Sequence, residues 1–470
     1  MKNITPSCIA KICGGRYFGS EDISEIEVTA ISTDSRNISE GGVFVAIRGE
    51  RVDGNKFVLQ TYKNGAICCI SELSLQEFKQ TYGKDNINSN FCKKCFIQVS
   101  SCYQALKDIA EYYRIVCGTK IIGITGSVGK TTTKEMIAGV LSEKFNTLKT
   151  QGNFNNEVGV PLTLFRLNEE HEIAVVEMGI SEFGEMTRLS KIVKPDICVI
   201  TNIGQCHLEN LGDRDGVLKA KTEIFTYMAD GGKVYLNGDD DKLIQIKEAG
   251  GRKPVFFGMG INNDVYAENI ISKGLAGAVF DAVYGEARIK IHVPVPGNHM
   301  ITNALAAVAI GIDMGMEPEK IASGIAKFKP VGGHCSIIET DKLTIMDDCY
   351  NANPVSMKAG IDILADVQGR KAAIIGDMFE LGSDEKKMHY EIGQYAAEKR
   401  IDCIICIGEL AEEYVKGAKD TGKQEMVYYF KDLDTALLEI GNIIKEGDAV
   451  LVKASHAMKF EKVVEVLKGI

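Results

Sequence analysis

The chain has 470 residues, 45% of them apolar and 25% charged, the make-up of a folded globular protein with room for about three domains. Its 54 Lys and Arg against 64 Asp and Glu leave a net charge of −10, which argues against a nucleic-acid partner, since that would call for a basic surplus or stripe. The 48 glycines and 9 prolines follow no period, so collagen-like and proline-rich architectures are excluded. The first residues, MKNITPSCIAKICGG, lack the basic start and apolar run of a signal peptide. No window approaches ~18 uninterrupted apolar residues, so no membrane span is expected. The 14 cysteines are scattered rather than packed into a small framework, and a reducing cytoplasm is the expected location. Two C-x-x-C pairs, Cys92 with Cys95 and Cys403 with Cys406, lack the partner pair of a zinc site. The second pair lies in the apolar run DCIICIG, where core packing accounts for it.

Residues 1–99 read as a small mixed α/β domain. VTAISTDSR, GGVFVAIRG, GAICCIS and CFIQVS are apolar runs closed by Gly, Ser or Asp, which is a strand signal. The helical run SSCYQALKDIAEYYRIV follows, with Ala105, Leu106, Ile109, Ala110 and Tyr113 at helical spacing. From Lys120 the pattern becomes α/β: strands KIIGIT, NTLKT, IAVVEMG, DICVITNIG and KVYLNG alternate with helices KEMIAGVLSEKF, EMTRLSKIV and GVLKAKTEIFTYM. Such alternation predicts a mostly parallel sheet with helices on both faces, here a central domain over 100–331. The stretch DVYAENIISKGLAGAVFDAVYGEARIKIHVPVPG reads as an antiparallel appendage, and helices ITNALAAVAIGIDMG and PEKIASGIAKF close the domain. Residues 332–470 repeat the alternation with TIMDD, KAAIIGDM, DCIICIG, MVYYF and AVLVKA, which predicts a Rossmann-like open sheet. No G-x-G-x-x-G follows its first strand, so a bound dinucleotide is not indicated.

The strongest chemical signal is Gly123-Ile-Thr-Gly126-Ser127-Val-Gly129-Lys130-Thr131-Thr132, which follows the strand KIIGIT and opens a helix. Backbone N–H groups in such a loop, with the helix N-terminus behind them, suit a polyphosphate. Lys130 is placed for the β- and γ-phosphates and the Thr131 hydroxyl for Mg²⁺. The strict phosphate-loop pattern fails only at its first glycine, where Ile124 stands. A GTPase would carry N-K-x-D, but the only Asn-Lys pair, Asn55-Lys56, is followed by Val58 at the Asp position. Motor and transport ATPases usually hold Mg²⁺ through an Asp after a neighbouring strand. Here IAVVEMG ends in Glu177, an oxygen donor at the carboxyl edge of the sheet. His207 follows DICVITNIG at that same edge, and Lys221 lies in LKAKTEIF. Alone, each reads equally as a packed or solvated side chain.

Read in order, GITGSVGKTTTKEMI, TQGNFNNEVGVPLT, VVEMG, TNIGQCHLENLG, AKTEI, PGNHMITNALAA, DDCYNANPVSM, GDMFELG and GDAVLVKAS resemble the Mur ligase family over nearly the whole chain. The first domain shares the looser DSR, FVAIRG and D-G-x-x-F pattern from Asp34 to Phe57. The resemblance implies three domains: one binding a UDP-sugar, a central ATPase-like one, and a third that closes over the nucleotide. It implies an ATP-dependent amide ligase working through an acyl phosphate. The implied partners are small molecules, a UDP-muramoyl tripeptide and D-alanyl-D-alanine, handled by a monomer. The absence of Asp-Asn-Pro-Arg argues against the relative that adds diaminopimelate. A paralogue acting on another acceptor and a non-catalytic homologue are the alternatives.

Carried over by residue, the resemblance assigns phosphates and one Mg²⁺ to Lys130 and Thr131, with Glu177 assisting. It assigns a second Mg²⁺ to His207 and to Lys221, which family members carbamoylate. His299 and Asn303 fall near adenine; Asp348, Tyr350 and Asn351 fall in the third-domain strip facing the nucleotide. Asn155 and Asn156 match the loop near the acceptor, and Ser35 and Arg36 the first-domain substrate motif. Three positions depart from the family pattern. Gly333-His334 stands for Gly-Arg, Lys453-Ala-Ser-His456 for Lys-Gly-Ser-Arg, and Asp53-Gly54-Asn55 for Asp-Gly-His. Imidazole does not replace a permanently charged guanidinium, so retuned closure, a different substrate or lost activity is implied.

Overall fold

Three consecutive stretches of chain each build a sheet in the computed structural model, which describes residues 1–49, 52–82, 94–330, 332–333, 335–422 and 426–470. The first sheet runs, in spatial order, Arg16–Phe18, Cys95–Gln98, Cys68–Ser71, Val43–Val45, Ile31–Ser32, antiparallel at the first pairing and parallel thereafter. The expected strand VTAISTDSR shrinks to Ile31–Ser32 because the chain turns at Asp34: Asp34 N donates to Ser32 Oγ and Arg36 N to Asp34 Oδ1. The edge strand Arg16–Phe18 was not expected. Cys92 and His334 lie outside the described residues.

Helix Cys102–Cys117 starts at Ser101, whose Oγ accepts from Gln104 N, and stops at Gly118, whose φ of 64° releases the chain. The five residues expected on its buried face are buried. It links the first two domains: Tyr113 Oη donates to Leu167 O at 2.7 Å, and Lys107 pairs with Glu157 at 3.0 Å.

The central sheet has nine strands. From one edge they are Thr147–Lys149, Ile173–Glu177, Lys120–Thr125, Ile197–Ile200, Lys233–Asn237 and Val255–Phe257, all parallel, then Val265–Ser272, Ala278–Tyr284 and Ala287–Val293. Val265 pairs parallel with Phe257 and the last three strands are mutually antiparallel. The expected appendage is therefore an extension of the main sheet, joined through Val255–Phe257, a short strand that the sequence pattern does not signal. Its apolar side, with Phe280, Ile289 and Ile291, covers helix Asn298–Asp313. That helix is apolar nearly all round because it is enclosed between the sheet, helix Lys130–Leu141 and helix Pro318–Ala326. The opposite face of the sheet packs on Cys102–Cys117 and Glu185–Val193.

The third sheet runs Ser336–Glu339, Thr344–Asp347, Ala449–Lys453, Lys371–Gly376, Cys403–Ile407, Val427–Phe430, parallel except at the first pairing. Cys403 and Cys406 are buried on opposite faces of the sheet, so they pack in two cores and cannot share a metal. The described cysteines are all free. No described helix is long and apolar enough to cross a membrane.

The order of the central strands places the site. Lys120–Thr125 lies between Ile173–Glu177 and Ile197–Ile200, so the loops leaving these three strands meet at one sheet edge, the usual ligand crevice of open α/β sheets.

Candidate active site

The loop after Lys120–Thr125 is held in shape by its neighbour. Val128 N donates to Asn202 Oδ1 (2.9 Å), while Asn202 Nδ2 (3.0 Å) and Thr201 Oγ1 (2.6 Å) donate to Val128 O. Gly204 N donates to Ser127 Oγ at 2.8 Å. Gly126 has φ 150°, and a Cβ there would lie 1.9 Å from Thr201 Oγ1, so only glycine fits. Gly129, φ 81°, begins helix Lys130–Leu141 without a side-chain cap, which leaves the first helical N–H groups free for an anion. Lys130 Nζ folds over the loop to Gly126 O (2.9 Å), and Thr132 is buried beneath. Asn303 packs on Gly129 from helix Asn298–Asp313, its Nδ2 buried without a partner.

Glu177 is 2% exposed at the end of its strand. Thr131 Oγ1 donates to its Oε2 (3.0 Å), Asn155 Nδ2 donates to its Oε1 (2.8 Å), and Lys134 Nζ stands 3.5 Å from Oε2. Asn156, beside it, caps the following helix by accepting from Val158 N and Gly159 N. His207 sits in the left-handed region at φ 52°, its Nδ1 2.6 Å from Glu380 Oε2 of the third domain. That contact is close but oblique, and Nδ1 is otherwise buried without a partner. The Glu380 carboxyl is held below its ordinary range by this contact. Lys221 is buried just behind, and burial pushes its ammonium down to about 8, with the like charge of Lys130 adding to the effect.

The third domain supplies the facing wall. Lys453, 2% exposed, donates to Asp348 Oδ2 (2.6 Å) and Asn351 O (3.0 Å), and Cys335 N donates to Asp348 Oδ1 (3.1 Å). The Tyr350 ring lies 5.5 Å from that of His456, and its hydroxyl is pushed up by burial and then by the charge of Glu177. Burial pushes the His299 imidazole below its ordinary pKa, opposed by the charge of Asp348 and aided by that of Lys453. Together these walls enclose a cavity of about 450 Å³ lined by Ser127 to Thr132, Asn155, Asn156, Glu177, His207, His299, Asp348, Tyr350, Asn351 and Lys453.

Gly126, Asn303 and Lys221 support this lining from behind. Ser35 and Arg36 lie apart from it in the first domain. Arg36 is turned onto Asp34 through Nε (2.9 Å) and Nη2 (2.8 Å), and Ser35 O accepts from Asn64. Asn55 is a buried hub: its backbone N and Nδ2 donate to Asp53 Oδ1, its Oδ1 accepts from Ser71 Oγ (2.5 Å), and its carbonyl from Tyr82 Oη.

Four residues to which sequence reasoning assigns no role shape the site: Lys134, Asn202, Glu380 and Lys453. Lys453 ends the apolar run AVLVKA at a sheet edge, as Glu177 ends IAVVEMG, and that signal was available. Lys134 faces inward from a helix, which only the fold discloses.

The Thr131 hydroxyl and the Glu177 carboxylate converge as hard oxygen donors, and this pair fits a small divalent cation that takes its other ligands from phosphate and water. Among the described residues no three His, Cys, Asp or Glu side chains form a group that could hold a metal ion by themselves.

Comparison with known proteins agrees with this geometry. Three family descriptions match in chain order: "Mur ligase family, catalytic domain" over residues 27–114, "Mur ligase middle domain" over 124–311, and "Mur ligase, glutamate ligase domain" over 334–456. The UDP-N-acetylmuramoyl-tripeptide–D-alanyl-D-alanine ligase of Bacillus subtilis is 34% identical over 94% of this chain and 93% of its own. That of Escherichia coli is 31% identical over 100% and 99%. Among solved structures, MurF from Acinetobacter baumannii superposes with a TM-score of 0.88 at 32% identity, covering 99% of both chains. MurF ligase from Thermotoga maritima, in complex with ADP, superposes at 0.80 with 27% identity over 94% and 97%. With all three regions matched in order and relatives alike from end to end, the chain belongs to the Mur ligase family.

Proposed function

We propose that the protein is an ATP-dependent ligase that joins D-alanyl-D-alanine to a UDP-N-acetylmuramoyl tripeptide, a step in making peptidoglycan precursors. The observation that carries this reading is the interdomain cavity in which a phosphate-binding loop, a buried carboxylate and third-domain polar groups face one another. It is supported by end-to-end likeness to ligases of that name.

A carboxylate is a poor acyl donor, so the reaction first needs a better leaving group. A carboxylate oxygen of the tripeptide attacks the γ-phosphorus of ATP, and ADP departs with the electron pair of the broken P–O bond. The amine of the dipeptide then attacks the acyl carbon, loses its proton to solvent or phosphate, and expels inorganic phosphate. Lys130 and the N–H groups of Gly129 to Thr131 neutralise charge on the transferring phosphoryl group, and Asn202 fixes their positions. Asn155 holds Glu177 with its charge toward the pocket. Thr131 and Glu177 would hold one Mg²⁺, and His207 with Lys221 a second; bound Mg²⁺ supplies charge neutralisation between the phosphates. Lys221 serves there as its carbamate: an amine with a lowered pKa keeps a neutral fraction able to add CO₂, which turns a cation into an anionic oxygen donor. His299 lines the nucleoside end with Asn303 behind it, Asp348, Tyr350 and Asn351 close it from the third domain, and Asn156 borders the acceptor. Ser35 and Arg36 belong to the UDP-sugar site, where Arg36 exchanges Asp34 for a phosphate oxygen.

Incubating the purified protein with ATP, Mg²⁺, UDP-muramoyl tripeptide and D-alanyl-D-alanine tests the reading. Mass spectrometry should show the pentapeptide product, absent when any one component is omitted. Binding of ATP with no product from this pair would refute the assigned substrates.

A further inference from the structure

Two of the described non-glycine residues with positive φ, His207 at 52° and Glu380 at 62°, meet across the boundary between the central and third domains. Backbone strain of this kind persists where surrounding structure enforces it, and it concentrates at functional sites. Here the enforcement is visible on both sides. Leu208 N donates to Glu380 O at 3.1 Å, and Nδ1 of His207 lies 2.6 Å from Glu380 Oε2. The segment carrying Glu380 is tied down three times within its own domain. Met378 N donates to the buried His389 Nε2 (2.9 Å), Phe379 N donates to Ser455 Oγ (3.0 Å), and Ser455 N donates to Asp377 O (3.1 Å). No described acceptor other than Glu380 reaches His207 Nδ1, which is buried, while the imidazole itself borders the cavity.

We infer that Glu380 is a positioning residue: it takes the Nδ1–H of His207, fixes the ring, and so leaves Nε2 as the lone-pair donor toward a cation in the cavity. A carboxylate behind a ligating imidazole orients the ring and raises its basicity. This deepens the proposed function and rests on its assignment of His207 as a ligand. It also makes the cation site a joint property of two domains, because the central domain holds the imidazole and the third domain the carboxylate. The two groups are close at 2.6 Å but approach each other obliquely.

The test is Mn²⁺ binding to the full-length protein with ADP, read by electron paramagnetic resonance, with metal-free ADP affinity and melting temperature measured alongside. Glu380→Ala should weaken Mn²⁺ about tenfold or more, the usual reach of a residue behind a ligand. Glu380→Asn, which tolerates positive φ but is too short to reach the ring, should do the same with the fold intact. Glu380→Gln, whose amide oxygen still accepts from Nδ1, should keep most of the affinity. Unchanged Mn²⁺ affinity in both shortened variants, with His207→Ala weakened, would overturn the positioning role and leave the ligand assignment standing. If His207→Ala itself binds Mn²⁺ as tightly as the parent, the assignment fails and the positioning role with it.

Discussion

Lys221 shows how burial and chemistry meet in one side chain. Among the described residues its ammonium has no carboxylate partner, and burial lowers its pKa from an ordinary value near 10.5 to about 8. Below pH 8 both folded and unfolded chains hold the proton, so the cost of burying the charge is fully present. Between pH 8 and 10.5 the unfolded chain binds more protons, and stability rises with pH. In CO₂-free buffer, Lys221→Met should therefore raise stability at pH 7 by on the order of 2–3 kcal/mol. The gain should shrink to nothing near pH 10.5, as denaturant melts at the two pH values will show. The same variant should lose ligase activity. Glu177→Gln loses the charge and one of the two acceptor oxygens that serve Thr131 and Asn155, and kcat should fall by about 10²-fold or more in steady-state assays.

At the scale of elements, the loop from Gly126 to Gly129 depends on the segment Thr201 to Gly204 as much as on its own glycines. Asn202→Ala removes both side-chain bonds to Val128 and should cost about 1–2 kcal/mol of stability, with ADP affinity falling more than the melting temperature predicts. Gly126→Ala forces a Cβ onto Thr201 Oγ1 and should abolish ADP binding, as calorimetry on the folded variant will show. Much of this element was legible beforehand. The run KIIGIT followed by glycines and Lys130-Thr131 specifies strand, turn and helix, because periodicity, glycine φ and helix start are local properties. The grip of Asn202 was not legible, since it depends on which strands become neighbours, and sequence order does not state that. Short strands such as Arg16–Phe18, at a sheet edge, and Val255–Phe257, within the sheet, escape for the same reason: three residues carry too little pattern, and pairing alone defines them.

For the whole molecule, the site is an interface. Thr131, Glu177 and His207 come from one domain, and Asp348, Tyr350 and Lys453 from another, so their convergence could be expected only through a resemblance spanning both. The departures from the family pattern sort by location. Asn55 is a satisfied buried hub, and Asn55→Ala should cost about 2–3 kcal/mol in a chemical melt with no direct effect on ATP binding. His456 is exposed, its ring tilted 39° against that of Tyr350, which lines the cavity. If the substrate carboxylate is activated by phosphoryl transfer, one of its oxygens must leave with the phosphate. With ¹⁸O in the terminal carboxylate of the UDP-muramoyl tripeptide, turnover with ATP and D-alanyl-D-alanine should release phosphate carrying one ¹⁸O, because the oxygen that attacks phosphorus leaves with it. Product formed alongside unlabelled phosphate would contradict the acyl phosphate and the account built on it.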